Sequence, residues 1–155
     1  METKPSILLV DDEDNLRRTL ALILCRQGYS VDTAATVAEA REHVENTTYD
    51  LAFLDLKLPD ASGLTLLPEL RERFPAMPVV ILTAHDKLDA AIEAVRKGAR
   101  DYLLKPIDPI VIIQKVKDIL AEYNQADTEA TKYSHIKSLL RDLRPDEQHE
   151  PPASQ

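Results

Sequence analysis

The sequence has little cysteine, little glycine and no long apolar run. Its only cysteine, Cys25, cannot form an intramolecular disulfide, which favours a reducing, cytoplasmic setting. With only three glycines, the chain has no GxxxxGK phosphate loop, so a P-loop ATPase is excluded. No apolar stretch reaches the roughly 20 residues of a membrane-spanning helix, and the first residues lack the pattern of a signal peptide. We therefore expect a soluble protein without direct membrane contact.

Composition narrows the class of protein further. The four histidines are scattered without zinc-type spacing, so no zinc site is expected. The formal charge of −8, from 19 basic and 27 acidic residues, opposes non-specific attraction to nucleic acid. Direct nucleic-acid binding is therefore not predicted. A length of 155 residues with 44% apolar content suits one domain with a shorter appendage.

Five short segments predict β-strands. Four of them are continuous apolar runs, as expected of strands that are covered on both faces. These runs are residues 7–10, 51–54, 79–82 and 102–104. The remaining segment, 30–34, alternates polar with small or apolar residues, which is typical of an edge strand.

Helical patterns lie between the strands and after the last one. Gly28 suits a left-handed helix cap, Thr36 and Glu39 have capping-box spacing, and Pro109 suits a helix start. The five predicted helices are approximately 16–24, 36–44, 64–74, 88–97 and 109–120. The alternation predicts an α/β fold: a doubly wound (βα)₅ parallel sheet between two helical layers, a three-layer sandwich. With the second strand at an edge, the flavodoxin-like order 2-1-3-4-5 fits best, and ligands bind at the carboxyl ends of such strands.

Charged and hydroxyl residues stand at these carboxyl ends. Asp11 and Asp12 follow strand 1, Asp55 follows strand 3, and Thr83 and Lys105 follow strands 4 and 5. Clustered carboxylates repel one another unless a cation lies among them, and Mg²⁺ prefers such oxygen ligands. Mg²⁺ could hold a phosphoryl group against Asp55, a carboxylate nucleophile, while Lys105 and Thr83 contact the phosphoryl oxygens. The pattern predicts phosphoryl transfer without a nucleotide-binding loop.

Residues 5–122 resemble a response regulator receiver domain of two-component signalling. The matching segments are ILLVDDE at 7–13, DLKLPDASG at 55–63, LTA at 82–84 and KP at 105–106. The resemblance implies that Asp55 accepts a phosphoryl group from a sensor histidine kinase or a histidine phosphotransfer protein. It also implies that Asp12, Asp55 and the main-chain carbonyl of Lys57 bind Mg²⁺, while Asp11 assists mainly through water.

The same resemblance implies a conformational switch at Thr83 and Tyr102 and a cis Lys105–Pro106 peptide bond. Phosphorylation adds roughly two negative charges, which can draw the Thr83 hydroxyl inward and let the Tyr102 ring follow. The signal would then pass to a partner, a dimer or an output domain. The alternative for Tyr102 is an aromatic ring that only packs. Lys57 and His85 either affect the lifetime of the phosphoryl group or point into solvent.

Two other classes of protein share parts of this pattern. An aspartate-nucleophile, Mg²⁺-dependent phosphatase would also use Asp55, but such enzymes usually carry a second Asp two residues later, where this chain has Lys57. A flavodoxin-like FMN binder needs a Ser/Thr/Gly-rich loop after strand 1, where the acid pair here would repel a phosphate. We therefore expect a signalling receiver that is phosphorylated and dephosphorylated on Asp55, not an enzyme acting on other substrates.

The predicted organisation is a receiver domain over 5–122 and a C-terminal tail over 123–155. Within the tail, apolar residues at about 133–143 have helical spacing, and the polar, proline-bearing end is expected to be disordered. The short helix would pack on its own domain, form a homodimer or bind a partner. The sequence suits a stand-alone receiver and the front part of a larger regulator equally well.

Overall fold

Strands and helices alternate along residues 4–122, the part of the chain that the computed structural model describes. The strands are β1 (Ser6–Val10), β2 (Ser30–Ala34), β3 (Leu51–Asp55), β4 (Val79–Thr83) and β5 (Asp101–Leu104). The helices are α1 (Asp14–Arg26), α2 (Val37–Asn46), α3 (Leu67–Arg73), α4 (Leu88–Arg96) and α5 over 109–122. None of the helices in this part of the chain has the length and apolar character needed to cross a membrane. The predicted helix at about 133–143 and the predicted disordered end lie outside the described residues.

The five strands form one parallel sheet in the order β2-β1-β3-β4-β5. This confirms the predicted flavodoxin-like order and the edge position of β2. The register aligns the carboxyl ends of neighbouring strands, since Val10 lies beside Leu54 and Thr83 beside Leu104. The chain reverses its winding direction between β1 and β3, so the crevice outside their ends is the position at which such sheets bind ligands.

Apolar side chains cover both faces of the sheet. On one face, Leu8, Val10 and Leu54 join a buried cluster with apolar residues of α2, α3 and α4. Because successive side chains of a strand point to opposite faces, Leu9 and Phe53 cover the other face and are also fully buried. Buried residues of the remaining helices are Leu20 and Leu24 of α1 and Ile112 and Val116 of α5. Continuous apolar strands therefore reflect burial on both sides, as the sequence predicts.

Local signals mark some helix ends, and one predicted start is wrong. Gly28 has a φ of 99° after α1, and the Thr36 hydroxyl accepts the Glu39 amide at the start of α2. The predicted helix from Leu64 is wrong at its start, because Gly63–Thr65 form a 3₁₀ turn and α3 begins only at Leu67. Pro68 explains the difference, since it has no amide to donate to the carbonyl four residues earlier but is tolerated in a first helical turn.

Candidate functional site

The predicted site residues meet at the carboxyl edge of the sheet. Asp55 and Thr83 are the last residues of β3 and β4. Asp11 directly follows β1, and its amide donates to the carbonyl of Ala34 at 3.0 Å. Lys105 directly follows β5, and its amide donates to the carbonyl of Thr83 at 2.7 Å. Main-chain hydrogen bonds that extend the strand pairing thus hold each of these residues against its neighbouring strand.

Three carboxylates lie close together at this edge. One oxygen each of Asp11, Asp12 and Asp55 lies within 4.8 Å of the other two. Asp11 is 0% exposed and Asp55 is 4% exposed, whereas Asp12 is exposed to solvent. Two of the three charges therefore lie where water cannot fully solvate them, and they require a cation or hydrogen-bond donors.

Lys105 is the ammonium that these carboxylates share. Its Nζ lies 3.0 Å from Oδ2 of Asp55 and 3.0 Å from Oδ2 of Asp11, and it also pairs with Glu13. Burial lowers the pKa of Lys105, but its contacts with the Glu13, Asp55 and Asp11 carboxylates raise it above its usual range. Lys105 therefore stays charged. Glu13 belongs to the segment that carried the resemblance, yet no pattern in the sequence singled it out as a partner of Lys105.

Asp11 has one oxygen that accepts no hydrogen bond. Its Oδ1 accepts the Glu13 amide at 2.8 Å. Its Oδ2 is buried and has Lys105 as an ion-pair partner at 3.0 Å, but it accepts no hydrogen bond. Burial raises the pKa of Asp11, as does the charge of Asp55, against the opposing effect of the Glu13 amide and the Lys105 ammonium. This oxygen can accept a further cation.

These residues fit a hard divalent cation such as Mg²⁺. The donor set consists of carboxylate oxygens, and it carries more negative charge than Lys105 neutralises. The Lys57 amide donates to Oδ1 of Asp55 at 3.0 Å, so the main chain of Lys57 runs beside the acceptor carboxylate. An open cleft faces the cluster, and its lining residues are Asp12, Glu13, Asp55, Lys57, Ala84, Asp86, Lys87 and Lys105.

The predicted switch residues lie on neighbouring strands, Thr83 at the end of β4 and Tyr102 within β5. The Thr83 hydroxyl is buried and makes long hydrogen bonds to the carbonyls of Ala84 and Lys87, at 3.3 Å and 3.4 Å. Tyr102 is half-buried on the edge strand β5 and packs against the apolar cluster. His85 lies in the 3₁₀ turn His85–Lys87 that follows β4. The Lys105–Pro106 peptide bond is cis, as the resemblance implies.

The segment between β3 and α3 holds a residue that the sequence did not reveal. Asp60 accepts the amides of Val37 and Ala38 at 2.9 Å and 3.0 Å, although it lies more than twenty residues away in the chain. The Val37 hydrogen bond is the main cause that lowers the pKa of Asp60. No local pattern predicts this contact, because both partners depend on where the loop and α2 meet.

Comparison with known proteins gives one consistent result. A model of the response regulator receiver domain matches residues 7–117. The alginate biosynthesis transcriptional regulatory protein AlgB of Pseudomonas syringae pv. tomato is 45% identical over 108 residues, which cover 70% of this chain and 24% of AlgB. The DNA-binding transcriptional regulator NtrC of Escherichia coli is 35% identical over 119 residues, covering 77% of this chain and 25% of NtrC. This chain thus spans about a quarter of the length of these relatives.

A solved structure shows the same fold. The crystal structure of a CheY-like response regulator receiver domain protein from Methanospirillum hungatei JF-1 matches with a TM-score of 0.76 and 32% sequence identity. The match covers 79% of this chain and 98% of that chain. The similarity therefore extends over a whole receiver domain.

Proposed function

Because the chain belongs to the response regulator receiver domain family, we propose that it is a phosphorylation-activated signalling switch. Asp55 accepts a phosphoryl group from a sensor histidine kinase or a histidine phosphotransfer protein. The observation that carries this proposal is the setting of Asp55: Lys105 lies 3.0 Å from Oδ2 and the Lys57 amide 3.0 Å from Oδ1, at an open cleft. The receiver acts on its own aspartate, which distinguishes it from an enzyme that turns over separate substrates.

The proposed transfer is a displacement at phosphorus. A carboxylate oxygen of Asp55 forms the new O–P bond as the N–P bond of the donor phosphohistidine breaks, and the imidazole leaves with the electron pair. Charge on the phosphoryl oxygens is offset by Lys105, which the surrounding carboxylates keep protonated. The small side chain of Ala84 at the cleft leaves room for the donor to approach. The residues at the cleft therefore position and neutralise the group that Asp55 receives.

We propose that Asp12, Asp55 and the Lys57 carbonyl hold Mg²⁺, with Asp11 assisting through water. When bound, the ion offsets the charge of the carboxylates and of the incoming phosphoryl oxygens. The buried Asp11 Oδ2, which lacks a hydrogen-bond donor, supports this assignment. Lys105, whose Nζ lies 3.0 Å from the Asp11 carboxylate, offsets part of the negative charge of the site before phosphoryl transfer.

The response to phosphorylation is proposed to pass through Thr83 and Tyr102. The phosphoryl group adds strong acceptors beside the Thr83 hydroxyl, whose present hydrogen bonds of 3.3 Å and 3.4 Å are long and easily exchanged. Movement of Thr83 changes the space beside β5, where Tyr102 is half-buried. Two packings of this edge would then differ in their affinity for a partner, a second copy or an output domain. The relatives AlgB and NtrC are transcriptional regulators, which favours control of transcription as the final output.

The test is phosphorylation by a small-molecule donor. The full chain is incubated with acetyl phosphate and Mg²⁺, and intact mass is compared for the wild type, Asp55→Asn and Asp89→Asn. Asp89 lies in the first turn of α4 and does not line the cleft, so its replacement is the matched control. We expect one added phosphoryl group on the wild type and Asp89→Asn, and none on Asp55→Asn.

Two results would contradict this function. The first is a wild type that gains no phosphoryl group under conditions in which a known receiver is labelled. The second is an Asp55→Asn variant that is labelled as well as the wild type, which would place the acceptor elsewhere. Chelation of Mg²⁺ with EDTA should abolish labelling if the acid cluster holds the ion.

A further inference from the structure

The segment that joins β3 to α3 folds back on the acceptor residue. The Gly63 amide donates to the carbonyl of Leu56 at 2.8 Å, and Lys57 and Ser62 form an isolated antiparallel bridge. A Cβ at position 63 would overlap the main-chain carbonyl oxygen of Asp55, so only glycine allows this close approach. The base of the loop is therefore tied to the end of β3. Its tip contains the exposed residues Pro59 and Asp60.

Asp60 ties the tip of this loop to α2. Both of its carboxylate oxygens accept hydrogen bonds, Oδ1 from the Val37 amide at 2.9 Å and Oδ2 from the Ala38 amide at 3.0 Å. These are the first two amides of α2, which have no partners within the helix. A carboxylate that contacts two adjacent amides is restrained in rotation as well as in position. The contact thus orients the loop as well as holding it.

The helix does not depend on Asp60 for all of its capping. The Thr36 hydroxyl accepts the Glu39 amide at 3.0 Å, and the Glu39 carboxylate accepts the Ala35 amide at 2.6 Å. Val37, Ala40 and Val44 are buried, so the helix is anchored in the core by its own side chains. The Thr36 cap and the Asp60 cap are therefore separate contacts at the N-terminus of α2.

A second contact joins α2 to the element that follows the loop. Arg41 of α2 forms a bidentate salt bridge with Glu69 of α3, in which Nε lies 2.9 Å from Oε1 and Nη2 lies 2.6 Å from Oε2. The loop is therefore fixed to α2 at its tip, while α3 is fixed to the same helix. Movement of the loop tip away from α2 requires the Asp60 hydrogen bonds to break.

We propose that Asp60 is a positioning residue for the Mg²⁺ site. It holds the loop so that Lys57, two residues beyond Asp55, stays at the cleft that it lines. This inference rests on the proposed function, which assigns the Lys57 carbonyl to the ion. Asp60 does not line the cleft, so it acts through the backbone that it restrains.

The experiment compares three variants of the full chain, Asp60→Ala, Asp60→Asn and Thr36→Ala. The Mg²⁺ dissociation constant is measured by following main-chain amide signals during a titration with Mg²⁺, and the thermal midpoint of unfolding is measured for each protein. Thr36→Ala is the matched control, because it removes a cap from the same end of α2 without touching the loop.

Both alanine variants should lower the thermal midpoint, since each removes a cap of α2. Only Asp60→Ala should raise the Mg²⁺ dissociation constant, by roughly tenfold, the effect of removing a residue that supports a metal ligand. Asp60→Asn keeps one acceptor oxygen and loses the charge, so its Mg²⁺ dissociation constant should lie between those of the wild type and Asp60→Ala.

Three results would overturn the proposal. Equal Mg²⁺ binding by Asp60→Ala and Thr36→Ala would show that the contact is structural only. Equal weakening in Asp60→Asn and Asp60→Ala would attribute the effect to charge instead of position. A wild type that binds no Mg²⁺ would remove the proposed metal site itself and this inference with it, a result distinct from failure of the Asp60 variants alone.

Discussion

The interior of β3 and its carboxyl end are almost equally buried but chemically opposite. Leu51, Phe53 and Leu54 are 0% exposed, and Asp55, the next residue, is only 4% exposed. Burial of apolar surface stabilises a fold by about 25 cal/mol per Å². Burial of a carboxylate costs free energy unless a cation or donors compensate it. The interior of the strand therefore supplies stability, and its end places a reactive carboxylate at a cost in stability.

The largest expected loss of stability comes from a substitution in the interior of β3. Phe53→Ala should lower the free energy of unfolding by about 3–5 kcal/mol, because a fully buried aromatic side chain is lost and a cavity remains. Urea denaturation measures the loss. Leu22→Ala is the control, since Leu22 is 52% exposed and its replacement should change stability by about 0.5 kcal/mol or less. Similar losses in both variants would contradict the assignment of stability to the strand interior.

A smaller loss of stability is expected when Lys105, the ammonium that compensates the buried carboxylates, is replaced. Lys105→Met should lower the free energy of unfolding by about 1–3 kcal/mol in EDTA, because buried carboxylate oxygens of Asp11 and Asp55 lose their cation. Mg²⁺ should restore part of this loss, since the ion binds the folded state.

The matched control is Lys115→Met, which breaks the pair of Lys115 with Asp101 at 2.6 Å near the surface. That variant should lose about 1 kcal/mol or less and show no added response to Mg²⁺. If both lysine variants lose the same free energy of unfolding in EDTA and in Mg²⁺, Lys105 does not stabilise the carboxylate cluster.

The smallest expected effect is a pH-dependent gain in stability on replacing Asp11 with Asn. Burial raises the pKa of Asp11 above its ordinary value of 3.8, so the folded protein binds this proton more tightly than the unfolded chain. The stability that protonation contributes is present at low pH and is lost as pH rises through the raised pKa. Asp11→Asn carries no such titration and keeps an acceptor for the Glu13 amide.

In EDTA, the difference in unfolding free energy, Asp11→Asn minus wild type, should therefore grow as pH rises above about 4. A gain of about 1 kcal/mol at neutral pH is expected, the scale of one polar contact. Urea denaturation at several pH values measures it. Parallel stability curves for the two proteins would show that burial of Asp11 has no energetic cost.

The strands were predicted more closely than the helices, and the segment 30–34 coincides with β2, although this edge strand is only partly buried. The continuous apolar runs of β1, β3 and β4 lie within one residue of the strands in the structure, because these strands are covered on both faces. The start of α3 was the weakest prediction, because Leu64 continues the apolar spacing but Pro68 prevents a regular α-helix from beginning there. Periodicity reports which face is buried, and a single proline decides where the hydrogen bonding begins.

The sequence by itself determined the order of strands and the edge at which Asp11, Asp55, Thr83 and Lys105 meet. It could do so because the ends of neighbouring parallel strands align, whatever loops connect them. Only the tertiary structure decided that Lys105 contacts Glu13, that Asp11 keeps an oxygen without a donor, and that Asp60 caps α2. Those contacts depend on the path of loops and the placement of helices. No periodicity along the chain encodes such distances.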